Sequence, residues 1–251
     1  MLRTTLIVAS LALAGWTLSS VRAQDDELRA LVNKAMKAHG GKELLKKYQT
    51  TTAKYKGEVD AMGVMAKVEG EIFVAPERMK NVIAVEVNGM NIKIQQGFDG
   101  KVLWMDVMGM GQEFKDEDKI KDMKENMYAE HVGNLWDLDN KEFKLGSLGE
   151  MKIKGKEAVG VRVSKEGKRD VNLWFDKQST LLVKHEYRGK DVFGQEGETN
   201  NEKYFADYKA VQGIQTPGRM EVHKEGKKIV ELEITESRYH EKLDESTFAK
   251  P

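Results

Sequence analysis

The chain has 251 residues, with 41 Lys and Arg against 41 Asp and Glu, a formal charge of zero, and no cysteine. Without cysteine there is no disulfide, no thiolate metal site and no cysteine nucleophile, and the balanced charge gives no electrostatic footprint for nucleic acid. Charged residues make up 33% of the sequence but are interspersed with apolar ones, the pattern of a solvated surface and not of a disordered tail.

The first 23 residues read as an export signal. Arg3 supplies a positive start, Leu6 to Leu18 are uncharged and mostly apolar, and Val21 and Ala23 stand at −3 and −1 of a cleavage point before Gln24. The apolar stretch is short for a membrane span, and no second one of membrane length follows. With no cysteine to carry a lipid anchor, the cleaved protein is expected to be soluble in the periplasm. Cleavage removes Arg3 and Arg22, leaving 39 basic against 41 acidic residues, a charge of −2. Residues 24–251 are expected to form one domain.

Residues 26–39 place Leu28, Leu31, Val32, Ala35, Met36 and His39 on one stripe at helical spacing, and Gly40-Gly41 stops that helix. Period-two alternation then takes over. Val68, Gly70, Ile72 and Val74 share one face of a predicted strand, as do Ile83, Val85 and Val87 in the next. A second helix is predicted from Asp116 to Leu138, with Ile120, Met123, Met127, His131, Leu135 and Leu138 on its apolar stripe and a possible break at Gly133. Asp116, Glu117 and Asp118 suit its N-terminal end. Alternation resumes at Val159–Val163, Val171–Phe175 and Val230–Ile234. Asn88-Gly89, Asp99-Gly100, Glu166-Gly167, Gln212-Gly213 and Glu225-Gly226 mark hairpin turns. One wet face per strand favours antiparallel pairing, and the elements add up to a long meander interrupted once by the central helix. Two helices are few to cover such a sheet, so an apolar cavity is expected between sheet and helices.

No catalytic or metal motif is present. The five histidines are scattered, with no HxH or HExxH spacing, and Asp137, Asp139, Asn140 and Glu142 lack the Gly and Glu of a calcium loop. There is no GxSxG, P-loop or dinucleotide fingerprint. The protein is therefore read as a non-enzyme with no cofactor and no metal. Met105, Met108 and Met110 cluster around two glycines. They suit core filling or an adaptable apolar surface, and a soft Cu(I) site is the third reading.

Several phrases carry a family likeness. Gly70-Glu71-Ile72-Phe73-Val74-Ala75-Pro76-Glu77-Arg78-Met79-Lys80 is followed by Phe98-Asp99-Gly100-Lys101-Val102-Leu103-Trp104, then Leu173-Trp174-Phe175-Asp176, Tyr208 to Pro217, and Leu243 to Pro251. In this order they resemble the outer-membrane lipoprotein-sorting family, the LolA-like carriers, and within it a broad uncharacterised branch. The resemblance implies a mainly β, α+β fold: a strongly curved antiparallel half-barrel with an N-terminal helix and a central lid helix in the concavity. It implies a non-catalytic carrier or chaperone for a lipid or acylated lipoprotein, working as a monomer, with a membrane-associated donor or receptor protein as a further partner. The residues implied to line the cavity are Ile72, Val74, Ile83, Val85 and Trp104 from the strands, and Ile120, Met123, Met127, His131 and Leu135 from the lid. The sequence departs from the carriers at Ala75, where they place an arginine that holds the lid. Related half-barrels also serve as envelope sensors that bind a partner protein, which is the alternative reading.

Overall fold

The computed structural model describes residues 14–251 apart from 62, 88 and 194–196. Residues 1–13 of the expected export segment lie outside the described residues, as does Asn88 of the expected Asn88-Gly89 turn. The chain begins with α1 (Ala14–Ala38) and α2 (Lys42–Lys47). Six strands follow: β1 (Thr50–Ala61), β2 (Val64–Ala75), β3 (Arg78–Val87), β4 (Met90–Phe98), β5 (Leu103–Val107) and β6 (Met110–Phe114). After α3 (Glu117–Gly133) come β7 (Lys144–Ile153), β8 (Lys156–Ser164), β9 (Val171–Asp176), β10 (Leu182–Lys190) and β11 (Glu198–Ala206). The short β12 (Lys209–Val211) and β13 (Ile214–Thr216) precede β14 (Arg219–Lys224), β15 (Lys227–His240) and a 3-10 turn at Glu245–Phe248. The first helix starts earlier than the expected residue 26, because nothing between Trp16 and His39 is a Gly or Pro that would break it.

Thirteen strands form one open, curved antiparallel sheet in the order β6-β5-β4-β3-β2-β1-β15-β14-β11-β10-β9-β8-β7, and β12–β13 form a separate hairpin. This order corrects the single meander. Two meander arms, β1–β6 and β7–β11, are joined by the C-terminal hairpin β14–β15, which lies between β1 and β11. Strand β15 thereby covers the ladder that β1 would otherwise expose as an edge.

The same order explains where α3 must lie. It connects β6 to β7, which are the two opposite edges of the sheet. Helix α3 makes this connection through the concavity, where Met123 and Met127 pack against Phe98 and Leu103 of one arm and the helix meets β9 and β10 of the other.

Local chemistry fits each element. The hairpins at Met108-Gly109, Lys154-Gly155, Gln212-Gly213 and Glu225-Gly226 have positive φ at both central residues, the geometry of two-residue turns whose twist matches the strands. Three aromatic rings lie over a glycine directly opposite on the next strand: Tyr55 over Gly70, Trp104 over Gly97 and Trp174 over Gly160. A Cβ at any of these glycines would overlap the ring, so the pairs let the sheet coil while keeping its surface covered. Register shifts at Lys54/Tyr55, Ser147/Gly149, Leu182/Lys184 and Val222/His223 add further twist.

Helix α3 is capped by Asp116, whose side chain accepts from the Lys119 N–H at 2.9 Å, and Glu117 and Asp118 occupy its first turn. It ends at Gly133, five residues before the expected Leu138. The chain leaves helical geometry through positive φ at Leu135 and Asp137, and the His185 ring lies against Gly133, where a Cβ would approach it to 3.1 Å. The main core sits under α1 and the end of α3. Leu28, Val32, Ala35 and Met36 meet Ala129, Val132 and Leu135 over Val161, Val163, Val171, Leu173 and Phe175 of β8 and β9. Burying each of the larger side chains contributes roughly 1.5–3 kcal/mol.

Candidate ligand-binding site

Strand register decides which residues face the concavity. Val74 pairs with Met79, Met79 with Phe98, and Phe98 with Leu103, so all four lie on one face of the sheet. Val74 packs against the helix-covered core, while Phe98 and Leu103 pack against the lid, which identifies that face as the inner one. Ile72, Val74, Ile83 and Val85 therefore share the inner face, since Ile83 lies opposite Gly70 and Val85 opposite Val68. Ile72 and Ile83 join Tyr55, Val68 and Leu232 in an apolar cluster in which Ile72, Ile83, Val59, Met220, Val230 and Ile234 are only half-buried.

Trp104 is not placed with them. It lies between Leu103 and Met105 on β5 and opposite Gly97, so its side chain is on the outer face. There it is 1% exposed, donating its indole N–H to the Phe248 carbonyl at 3.1 Å. The C-terminal segment, not a ligand cavity, covers it.

The lid residues divide as well. Met123 and Met127 are buried with Phe98, Leu103 and Val192, and Ile120 packs at the margin of this group. Leu135 lies beyond the helix end in the main core. His131 is half-buried, edge-on to the Trp136 ring at 5.5 Å, and burial holds its imidazole below its ordinary value, so it is neutral at pH 7.

Ala75 ends β2, and the polar contacts of α3 are made to residues of other segments. Asp122 of α3 pairs with Lys190 at 2.9 Å and Arg169 at 3.3 Å, Glu125 with Lys168 at 2.7 Å, and Glu130 with Lys203 at 2.5 Å. The Asn126 amide adds a hydrogen bond to the Lys190 carbonyl at 2.8 Å. Burial by itself would raise the Glu130 carboxyl, but Lys203 and the neighbouring His185 outweigh it and hold it below the usual carboxylate range. Burial pushes the His185 imidazole down to about 4, and its Nε2 has no hydrogen-bond partner. Sequence reading missed this cluster. Glu130 and Lys203 are 73 positions apart, and no local pattern links them.

A cavity of about 710 Å³ opens beside the lid, within the roughly 300–1,000 Å³ of small-ligand pockets. Helix α3 contributes Lys124, Met127, Tyr128 and His131, one stripe at steps of three and four. Phe98, Phe143 and Phe248 supply buried apolar wall, and Ala75, Pro76, Glu77 and Arg78 form one lip. Glu77 sits at φ 105, a conformation that side-chain-bearing residues rarely adopt.

No family model matches the sequence, and no curated protein does. Solved structures match almost end to end. A DUF1329 family protein from Desulfovibrio piger aligns with TM-score 0.53 and 14% identity over 88% of this chain and 97% of that one. A domain described as an outer membrane lipoprotein-sorting protein, from Vibrio parahaemolyticus, gives 0.55 and 12% over 89% and 97%. A LolA superfamily protein from Nitrosomonas europaea gives 0.51 and 11% over 89% and 97%. At these identities the likeness is one of fold, and it is the LolA-like half-barrel that the sequence phrases implied.

Proposed function

We propose that this protein is an exported, non-catalytic carrier that holds a lipid, or the acyl chains of a lipoprotein, in the concavity beside α3. Residues 24–251 act as one domain in the periplasm after removal of residues 1–23, and the ligand is received from or passed to a membrane-associated partner. The observation that carries this reading is the half-buried inner face shared by the β1–β6 arm and the β14–β15 hairpin. Ile72, Ile83, Met220, Val230 and Ile234 present apolar surface into a concavity that α3 crosses without filling. Moving an acyl chain from water onto such a surface is favourable at roughly 25 cal/mol per Å² removed from water, and needs no covalent chemistry. Met127, buried at the cavity wall, and Ile72, Val74, Ile83, Val85, Ile120 and Met123 are assigned to the acyl chain; His131 lines the mouth. Leu135 is assigned to holding the lid from below.

Native mass spectrometry of the protein purified from the periplasm without detergent tests this. A co-purifying mass in the lipid or acyl-peptide range is expected. A bare protein that also takes up no fluorescent fatty-acid probe would overturn the carrier reading in favour of a protein-binding one.

A further inference from the structure

The cavity beside α3 is not uniformly apolar. Its wall of Phe98, Met127, Phe143 and Phe248 is buried, but its mouth gathers cations from four separate segments: Lys124 of α3, Lys165 and Lys168 of the β8–β9 turn, Arg78 at the start of β3, and Lys242 after β15. Glu77, Glu241 and Glu245 are the lining acids. The lining holds five cations and three carboxylates, and with the ion-pair partners just outside it the mouth keeps one positive charge in excess in a chain whose formal charge is zero.

Much of this charge is already engaged. Arg78 pairs with Glu245 at 3.1 Å, Lys165 with Glu142 at 2.7 Å, and Lys168 with Glu125 at 2.7 Å, while Glu241 is taken by Lys47 at 3.1 Å. Lys124 and Lys242 enter no ion pair among the described residues. The lysine stems also continue the apolar wall. The Lys168 ammonium lies 5.5 Å from the Tyr128 ring centre and that of Lys165 5.6 Å from the Phe143 ring centre.

A second observation points the same way. The Tyr128 hydroxyl is buried and has no hydrogen-bond partner among the described residues. A buried donor left unmatched is costly, and a ligand oxygen matches it when the side chains that cover it, Lys168 over the Tyr128 ring among them, move aside. Burial, with Glu125 and Asp170 nearby, pushes this phenol up to about 12, so it carries its proton at physiological pH and can only gain by donating.

We infer that the cavity takes a single-chain anionic amphiphile, its acyl chain along Met127, Phe98 and Phe143 and its carboxylate or phosphate at the mouth, held by Lys124 and Lys242 with the Tyr128 hydroxyl as donor. This rests on the carrier reading and names the ligand class for it. Charge at the mouth then selects among ligands whose chains bind alike.

Displacement of a fluorescent fatty-acid probe by oleate, by oleoyl-lysophosphatidylglycerol and by uncharged glycerol monooleate tests it, all below their aggregation concentrations. Both anions are expected to bind about 3- to 10-fold more tightly than the neutral ester, and the stronger of the two identifies the headgroup as carboxylate or phosphate. K124A/K242A should bring the anions down to the affinity of the neutral ester in that same variant, and Tyr128→Phe should weaken the anions more than the ester. Equal binding of all three ligands, or a preference that survives in K124A/K242A, would overturn the headgroup site and leave the carrier reading intact. No binding of any of them would overturn both.

Discussion

The two arms of the sheet carry the same alternating sequence pattern and end in opposite conditions. On β8 and β9, Val161, Val163, Val171, Leu173 and Phe175 are completely buried, because α1 and the end of α3 lie on them. On β2 and β3, Ile72, Ile83 and Val85 face the same concavity and stay half-buried. The difference lies in what covers each arm and not in the strands. Helix α1 packs on the β7 side, and α3 crosses on its way between the two edges. Alternation therefore specifies an inner face, while topology decides whether that face becomes core or open surface.

The sharpest way to break this contrast is a matched pair of truncations. Phe175→Ala should cost about 3–5 kcal/mol of stability, the usual cost of emptying a packed aromatic site. Ile83→Ala on the open arm should cost about 1 kcal/mol, since little packing is lost. Urea denaturation midpoints measure both, and equal costs would show the β1–β6 arm to be as filled as the other.

Acid should act next most strongly, and on the filled arm. His185 is held neutral, its imidazole pushed down to about 4 by burial, against an ordinary value of 6.5. Between those two values only the unfolded chain takes up the proton, so stability is fully present above pH 6.5 and is lost as pH falls toward 4. The loss amounts to about 3 kcal/mol over that window. His39 and His131 are lowered in the same direction, also by burial. Denaturation midpoints between pH 7.5 and 5 should fall with pH, and His185→Gln should flatten the slope. A slope unchanged by that variant would remove His185 as its source.

The smallest effect is expected at the cavity lip. Pro76-Glu77 places a glutamate at φ 105, where a glycine costs nothing sterically. Glu77→Gly should raise the thermal midpoint, by the equivalent of at most about 1 kcal/mol, because relief of strain outweighs the added freedom of the unfolded chain. A lower midpoint would mean that the glutamate side chain supports the lip.

The inner assignment of Ile72, Val74, Ile83 and Val85 was legible because charged Glu69, Glu71, Lys80 and Glu86 mark the opposite face of β2 and β3, although Phe73, Val82 and Ala84 share that face, and the turn at Pro76-Glu77 fixes the register. Trp104 was not, since Leu103, Trp104 and Met105 are all apolar and period two gives no facing in such a run. What decides it is the C-terminal segment, which brings the Phe248 carbonyl to the indole from 144 positions away. The insertion of β14–β15 between the arms was hidden for a related reason: alternation says that β15 is a strand but not which strand it pairs with. The lid's end at Gly133 had a local signal, the glycine itself, whereas the His185 ring of another strand that packs on it had none.

The most direct test of the carrier reading is photo-cross-linking with a diazirine-bearing fatty acid, followed by peptide mapping. Adducts are expected on α3 around Met127 and on the inner-face residues Ile83 and Phe98, with their yield lost in Met127→Glu, which sets a charge against the chain. Adducts confined to the outer face, or a yield unaffected by Met127→Glu in a folded variant, would contradict it.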